Sequence, residues 1–318
     1  MTRFLRSLAA FAALQLFIAG ALAVACRGWE NFWAREYHGA TIQKRDRLAG
    51  TPSPRLVLVG GSNVAFSIVS PLLEEELPFS AVNMGLDVNL GLELMLGQVE
   101  AALRHGDVVV LSPEYHLLWS DPTNQSLLTF LFVHPQEIPH VGATQLPALL
   151  DSGLLFLRDI ERCAVDRCRA HDVRDAYRAD RFNVFGDFVG HHGALAPGED
   201  PRRAPPPKGA RLRPVARRAL VRFAARARES GARVFLFLPP TSRAKLDRVG
   251  SAYARLEREL REIEGIPVLN RLDEVAYAPG DLYDAEYHLQ RPAALRHTRL
   301  LAERLAAALD IPNRTGAH

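Results

Sequence analysis

The stretch LVLVGGSNVAFSI, Leu56 to Ile68, decides how this chain is read. Four apolar residues close on Gly60 and Gly61, then Ser62 and Asn63 open a second apolar run. A short apolar run bounded by glycine is the signature of a buried strand, so the stretch reads as strand, tight turn, helix. Such a turn holds a phosphate, presents a nucleophile, or simply redirects the chain. A dinucleotide loop needs G-x-G-x-x-G with an acidic residue about 20 positions later, and a Walker loop needs G-K-[ST]. Here the two glycines are adjacent, Phe66 is followed by Ser67, and no lysine is present. The nucleophile reading fits better. Ser62 stands where the free N–H groups and dipole of a helix N-terminus favour an attacking oxygen and the oxyanion it creates. Its plainer alternative is an N-cap, a role that serine fills well.

A hydroxyl at its ordinary pKa needs a base. The segment GDLYDAEYHLQRPAALRHTRL, residues 280–300, offers one. His288 lies in a loop before a closing helix, with Asp284 four residues earlier and Asp281 seven. A carboxylate accepting the Nδ1–H bond would leave Nε2 to take the serine proton.

Outward from the glycine turn, strands and helices alternate. Strands are expected at 55–60, 79–85, 107–113, 232–240 and 266–271. Helices are expected at 70–77, 90–106, 213–231, 242–265 and 291–309. This alternation indicates a parallel sheet with helices on both faces, and ligands of such sheets sit at the C-terminal strand ends. Gly60–Ser62, Asn83–Gly85 and Ser112–Glu114 all fall on that rim, which makes Glu114 a candidate for contact with substrate. Residues 114–210 interrupt the order with prolines, histidines and aromatics and read as an insertion.

At the N-terminus, Arg3 and Arg6 precede an apolar run from about Leu8 to Cys26, near the roughly 20 residues that span a bilayer. Three readings compete: a retained signal anchor, which the flanking charges favour; a secretory signal cleaved after Ala23-Val24-Ala25; and a lipoprotein signal ending at Cys26. All put the rest of the chain outside the cytoplasm. In an oxidising compartment Cys163 and Cys168 either pair or remain two free thiols. The 318 residues are 48% hydrophobic with a formal charge of +3, so bulk electrostatics gives no reason to expect nucleic acid as a partner.

These residues resemble the SGNH/GDSL hydrolase family. Gly60-Gly61-Ser62 matches its first block, NMGLDVNLG its second, with Gly85 as an oxyanion donor, and YDAEYHL is a variant of its last, Asp-x-x-His. Two departures stand out. Asp284 is at minus four rather than minus three, leaving Asp281 and Glu286 as substitutes. The third block, usually Gly-x-Asn-Asp, is LSPEYH and offers no asparagine, so Asn63 or Asn89 would have to donate instead. The single N-terminal span, the YHL segment before the last helix and the insertion bring the chain closest to membrane-anchored extracytoplasmic members, such as the D-alanyl-lipoteichoic acid and alginate O-acetylation proteins. The resemblance implies a flavodoxin-like three-layer α/β/α domain over 55–310, an anchor at 1–27, a connector at 28–54, an insertion at about 114–210 and a tail at 311–318. It implies serine esterase or O-acyltransferase chemistry without a cofactor or metal. Ser62, His288 and Asp284 would be catalytic, and Ser62, Gly85 and Asn63 the oxyanion donors. The substrate would be an acylated glycan or small molecule, met at the periplasmic face of the inner membrane, with a membrane-bound O-acyltransferase as a candidate partner. The alternative is an accessory protein that binds glycan or that partner without turnover.

Two further features of the sequence admit more than one reading. YRADRFNVFGDFVGHHG, residues 177–193, is either a loop over the rim that binds a sugar or anion through Asn183 and Arg181, or an ordinary hairpin-like surface loop; a metal site at Asp187, His191 and His192 is the weakest reading. The arginine-rich face of 213–227 either meets acidic headgroups or polymer or is simply solvated.

Overall fold

The computed structural model describes residues 2–27, 35–120, 127–165, 177–193 and 210–312. Four parallel strands form the central sheet: β1 (Arg55–Gly60), β2 (Ser80–Asn83), β3 (Val108–Ser112) and β4 (Arg233–Leu236). Every residue of β1 and β3 is buried. Because successive side chains point to opposite faces, this means both faces of the sheet are covered, as parallel sheets require. The strand order is β2-β1-β3-β4. A single parallel bridge, Leu236 to Val268, continues it beyond β4, with Leu236 N–H donating to Pro267 O at 2.9 Å and Leu269 N–H to Leu236 O at 2.8 Å. The chain therefore builds outward from β1 to β2, then crosses back to β3. The reversal lies between β1 and β3, where open α/β sheets place their ligands.

The first helix, α1 (Thr2–Arg27), contains Arg3–Ala25, long and apolar enough to cross a membrane and almost wholly exposed. By length and composition it fits an anchor or a signal sequence. The helices that follow are α2 (Ala40–Gly50), α3 (Ser62–Ser67), α4 (Ser70–Glu76), α5 (Leu92–Glu100), α6 (Tyr115–Trp119), α7 (Leu127–Val133), α8 (Leu146–Asp151), α9 (Gly153–Val165), α10 (Pro214–Glu229), α11 (Arg243–Arg261) and α12 (Arg291–Leu309). Helix α12 packs on α3 and α4, and α10 packs on α5 and β4, an arrangement consistent with three layers. The buried stripe of α12 runs through Ala294, Leu301 and Leu305. Pro292 in its first turn supplies a pre-set φ, and left-handed Asp310 (φ 55°) ends it. A second, two-stranded sheet pairs β5 (Thr241–Ser242) with β6 (Ala276–Tyr277).

Several expectations are corrected. The strand over 232–240 stops at Leu236, because beyond it Leu238 N–H donates to the Asn270 side chain rather than to a neighbouring strand. The helix expected to Gly106 ends at Glu100 in a turn closed by Ala102 N–H to Val99 O. Residues 40–50 of the connector belong to the folded body. Lys44 is buried and donates to Asn83 O (3.0 Å) and Gly186 O (2.5 Å), while Arg47 Nε donates to Ala81 O (2.9 Å). Arginines of α10 are paired with α5, Arg222 with Glu93 at 3.0 Å and Arg226 with Glu100 at 2.9 Å. The Cys163–Cys168 pairing falls outside the described residues.

The start of the sheet is pinned by a buried ion pair. Arg55 Nε meets Asp107 Oδ2 at 3.2 Å, and the guanidinium also donates to the carbonyls of Leu48, Thr51 (3.1 Å) and Ala102 (2.5 Å). A buried charge is tolerated when it is paired and hydrogen-bonded in this way.

Candidate active site

The glycine turn after β1 delivers Ser62 to the first position of α3, and the loop before α12 delivers His288 to the same rim. His288 Nε2 lies 2.8 Å from Ser62 Oγ, across 226 positions of sequence. On the other side of the ring, Nδ1 lies 2.6 Å from Asp284 Oδ1. The minus-four spacing works because 284–288 is a closed turn: His288 N–H donates to Ala285 O at 3.1 Å, and Tyr283 N–H returns to His288 O at 2.8 Å. The two substitute acids are engaged elsewhere. Asp281 pairs with Arg296 at 2.6 Å and Glu286 with Lys245 at 2.7 Å. Asp284 is thus the carboxylate that orients His288.

Helix α3 supplies more than the hydroxyl. Phe66, one turn after Ser62 and on the same helical face, stacks on the His288 ring with centroids 3.8 Å apart and planes 10° from parallel. One short helix therefore fixes both the oxygen and the plane of the imidazole. Its last residue, Ser67, donates to Tyr287 O at 2.7 Å and accepts from Leu289 N–H at 3.2 Å, clamping the backbone on either side of His288. The insertion completes the chain of contacts: the Tyr177 hydroxyl donates to Asp284 Oδ2 at 2.5 Å. Neither Phe66 nor Tyr177 was singled out from sequence. Tyr177 does open the aromatic-rich stretch 177–193, which was the available signal.

Glu114 has a different place from the one expected. It is 0% exposed, with no surface to offer a substrate. Its two oxygens accept the backbone N–H groups of Gly61 (Oε2, 3.1 Å) and Asn63 (Oε1, 3.2 Å), one on each side of Ser62. A Cβ at Gly61 would stand 2.3 Å from Glu114 Oε1, so a side chain here would push the carboxylate off the turn. The carboxylate thus holds the Gly61–Asn63 turn from beneath. The Ser62 N–H has no acceptor among the described residues.

The other expected oxyanion donors are engaged. Gly85 N–H donates to Asn83 Oδ1 at 2.9 Å, and a Cβ at Gly85 would lie 2.6 Å from Ala65 N, so this glycine packs against α3. The Asn63 amide donates to Ser112 O at 2.8 Å and Ser112 Oγ at 3.2 Å. Asn89 donates to Asp87 Oδ1 at 3.1 Å. No protein-family model matches the chain, and no curated protein does. The reading of the site therefore rests on its geometry.

The loop 177–193 folds inward. Phe182 and Phe188 are buried in a second apolar cluster with Phe66, Leu86, Phe130 and Tyr283. Asn183 is spent on closing the loop: its Oδ1 accepts from Phe185 N–H and Asp187 N–H, and its Nδ2 donates to Asp187 Oδ2. Asp187 also accepts from Ser70 and Asn83. Arg181 is exposed, at the outer side of that loop. Neither Asn183 nor Arg181 is brought to Ser62 by any contact, because the loop's inward polar groups satisfy each other.

Burial pushes the Glu114 carboxyl up to about 7, against the opposing pull of the Asn63 and Gly61 N–H groups. A folded-state value above the unfolded 4.5 means the folded form holds the proton more tightly. This contribution to stability is fully present below pH 4.5 and is lost as pH rises through about 7. Its size is on the order of 3 kcal/mol. Glu114→Gln removes the titration and leaves one of the two N–H groups facing an amide NH₂, at about 1–3 kcal/mol. Urea unfolding of the two proteins between pH 4.5 and 8 is expected to show a wild-type decline that the glutamine variant, less stable at pH 4.5, does not share, so that the two curves converge by pH 8.

Proposed function

We propose that this protein is an SGNH-type serine esterase or O-acyltransferase acting on acyl esters of cell-surface or exported glycans. The observation that carries the reading is the Ser62–His288–Asp284 chain, 2.8 Å and then 2.6 Å, at the sheet's reversal point. Ser62 attacks the ester carbonyl while His288 Nε2 takes its proton. Asp284 holds the tautomer and stabilises the imidazolium that forms. The ester C–O bond then breaks, and His288 returns the proton to the leaving alcohol, leaving the acyl group on Ser62 Oγ. Water completes hydrolysis, or a sugar hydroxyl completes transfer, by the same proton path in reverse. The Ser62 N–H faces the developing oxyanion. An apolar anchor at α1 favours work at the outer face of a membrane.

One observation favours a second reading, an accessory protein that binds glycan or a membrane O-acyltransferase. The Gly85 N–H and Asn63 amide are committed within the fold, and each missing oxyanion donor typically lowers kcat by about 10²–10³-fold. Release of acetate from an O-acetylated oligosaccharide, with and without an added sugar acceptor, separates the two. The enzyme reading expects release or transfer by wild type and neither by Ser62→Ala. Folded wild-type protein that does neither overturns it.

A further inference from the structure

Helices α8 and α9 carry apolar residues on both faces. Ala148 and Ile160 are buried toward the body, and Phe156 meets Phe132 with ring centroids 5.4 Å apart. At the alternate positions Leu146, Leu150, Leu154 and Leu157 point outward, with Leu150 83% and Leu154 80% exposed. Spacings of four, four and three residues put these leucines on one side of consecutive helices. A row of exposed leucines on a soluble surface marks an interaction site. Its occupant is indicated by α1, which packs against α9. Among the residues of α1 whose burial is described, Ala23 is the buried one, four residues and about 6 Å from the helix end. In a spanning α1 that depth is the headgroup zone.

A second observation agrees. Just past the anchor, Ala179 N–H donates to Arg35 O at 2.9 Å, Glu36 bridges Arg178, and the Tyr37 ring packs 5.6 Å from Tyr177, the residue bonded to Asp284. Only nine peptide links separate Arg27 from Glu36, a reach of about 30 Å at most. The catalytic rim is tethered close to the surface that α1 enters.

We propose that the leucine face of α8 and α9 lies in the outer leaflet of the bilayer that α1 spans, holding the catalytic cleft at the lipid surface. The proposal rests on reading α1 as a retained anchor. It is independent of the acyl chemistry.

The full-length chain in phosphatidylcholine vesicles carrying a diazirine-tailed phospholipid tests it. After irradiation, mass spectrometry of the peptides is expected to find lipid adducts in 2–27 and in 146–157. In Leu150→Glu/Leu154→Glu the adducts at 146–157 fall at least tenfold, and those at 2–27 persist. The side chains replaced are exposed, so the melting temperature is expected to stay with wild type. The wild-type pattern decides the question even if the variant does not fold. Adducts in 2–27 alone leave the anchor standing and overturn the docked face. Adducts in neither segment overturn the anchor reading and the docked face together.

Discussion

An alanine at position 62 is expected to lower kcat/KM for an aryl acetate by about 10⁴- to 10⁶-fold, with the melting temperature unchanged. The side chain it removes is a single hydroxyl at the first position of α3, bonded to His288 Nε2 and packed into no core. The fall is expected near the lower end of the range. On the proposed acyl chemistry, with Gly85 N–H and the Asn63 amide engaged, the oxyanion would draw on the Ser62 N–H, and a wild-type rate below that of three donors is expected. The backbone donor survives in the alanine variant, which confines the loss to the covalent step. His288→Ala is expected to lose about as much, and the double variant little more, because nucleophile and base act as a unit. Steady-state hydrolysis with a parallel thermal melt measures all three. Retention of more than a tenth of the activity in Ser62→Ala would place the chemistry elsewhere.

Asp284→Asn is expected to reduce kcat by about 10⁴-fold while leaving the fold intact. The aspartate accepts from His288 Nδ1–H at 2.6 Å and from the Tyr177 hydroxyl at 2.5 Å. An asparagine can keep the tyrosine bond through its Oδ1, but its NH₂ then faces Nδ1. The favourable arrangement has NH₂ donating to a bare Nδ1, which drives the ring proton to Nε2, where it blocks transfer from Ser62. Tyr177→Phe is the informative companion. It removes one of the donors to Asp284 and leaves the tautomer alone, so a fall of about tenfold or less is expected. Equal losses in the two variants would mean that the carboxylate acts only by packing. Asp281→Asn and Glu286→Gln, whose carboxylates pair with Arg296 and Lys245, are expected to leave kcat near wild type.

What was legible in the sequence follows from what each residue's neighbours along the chain can reveal. The parallel sheet was readable because β1 and β3, buried on both faces, are unbroken apolar runs closed by glycine or proline. Ser62 was readable because a glycine pair after such a run has few other uses. His288 was readable because a histidine with acids close by precedes the last helix. The choice among Asp281, Asp284 and Glu286 was not, since it depends on Arg296 and Lys245, which are far from the turn in sequence or on another helix. Glu114 looked like a rim residue by its place after β3. Its inward turn depends on Gly61, 53 residues away, having no Cβ. Asn183 looked free to meet a ligand, yet its partners Phe185 and Asp187 lie within the same loop, and only the loop's closure shows that they use it up. The segment 40–50 read only as part of a connector; the engagement of Lys44 and Arg47 depends on carbonyls at Asn83, Gly186 and Ala81 that no local pattern announces.

The most direct measurement of the central relation is the site of a covalent adduct with a fluorophosphonate, a probe that reacts with serines activated by a histidine base. Peptide mass spectrometry of the folded wild-type protein is expected to find the phosphonyl group on Ser62, with the rate of its appearance reduced at least a thousandfold in His288→Ala. An adduct on any other serine, labelling of Ser62 that ignores the loss of His288, or folded protein that stays unlabelled would contradict a nucleophile–base pair at this rim.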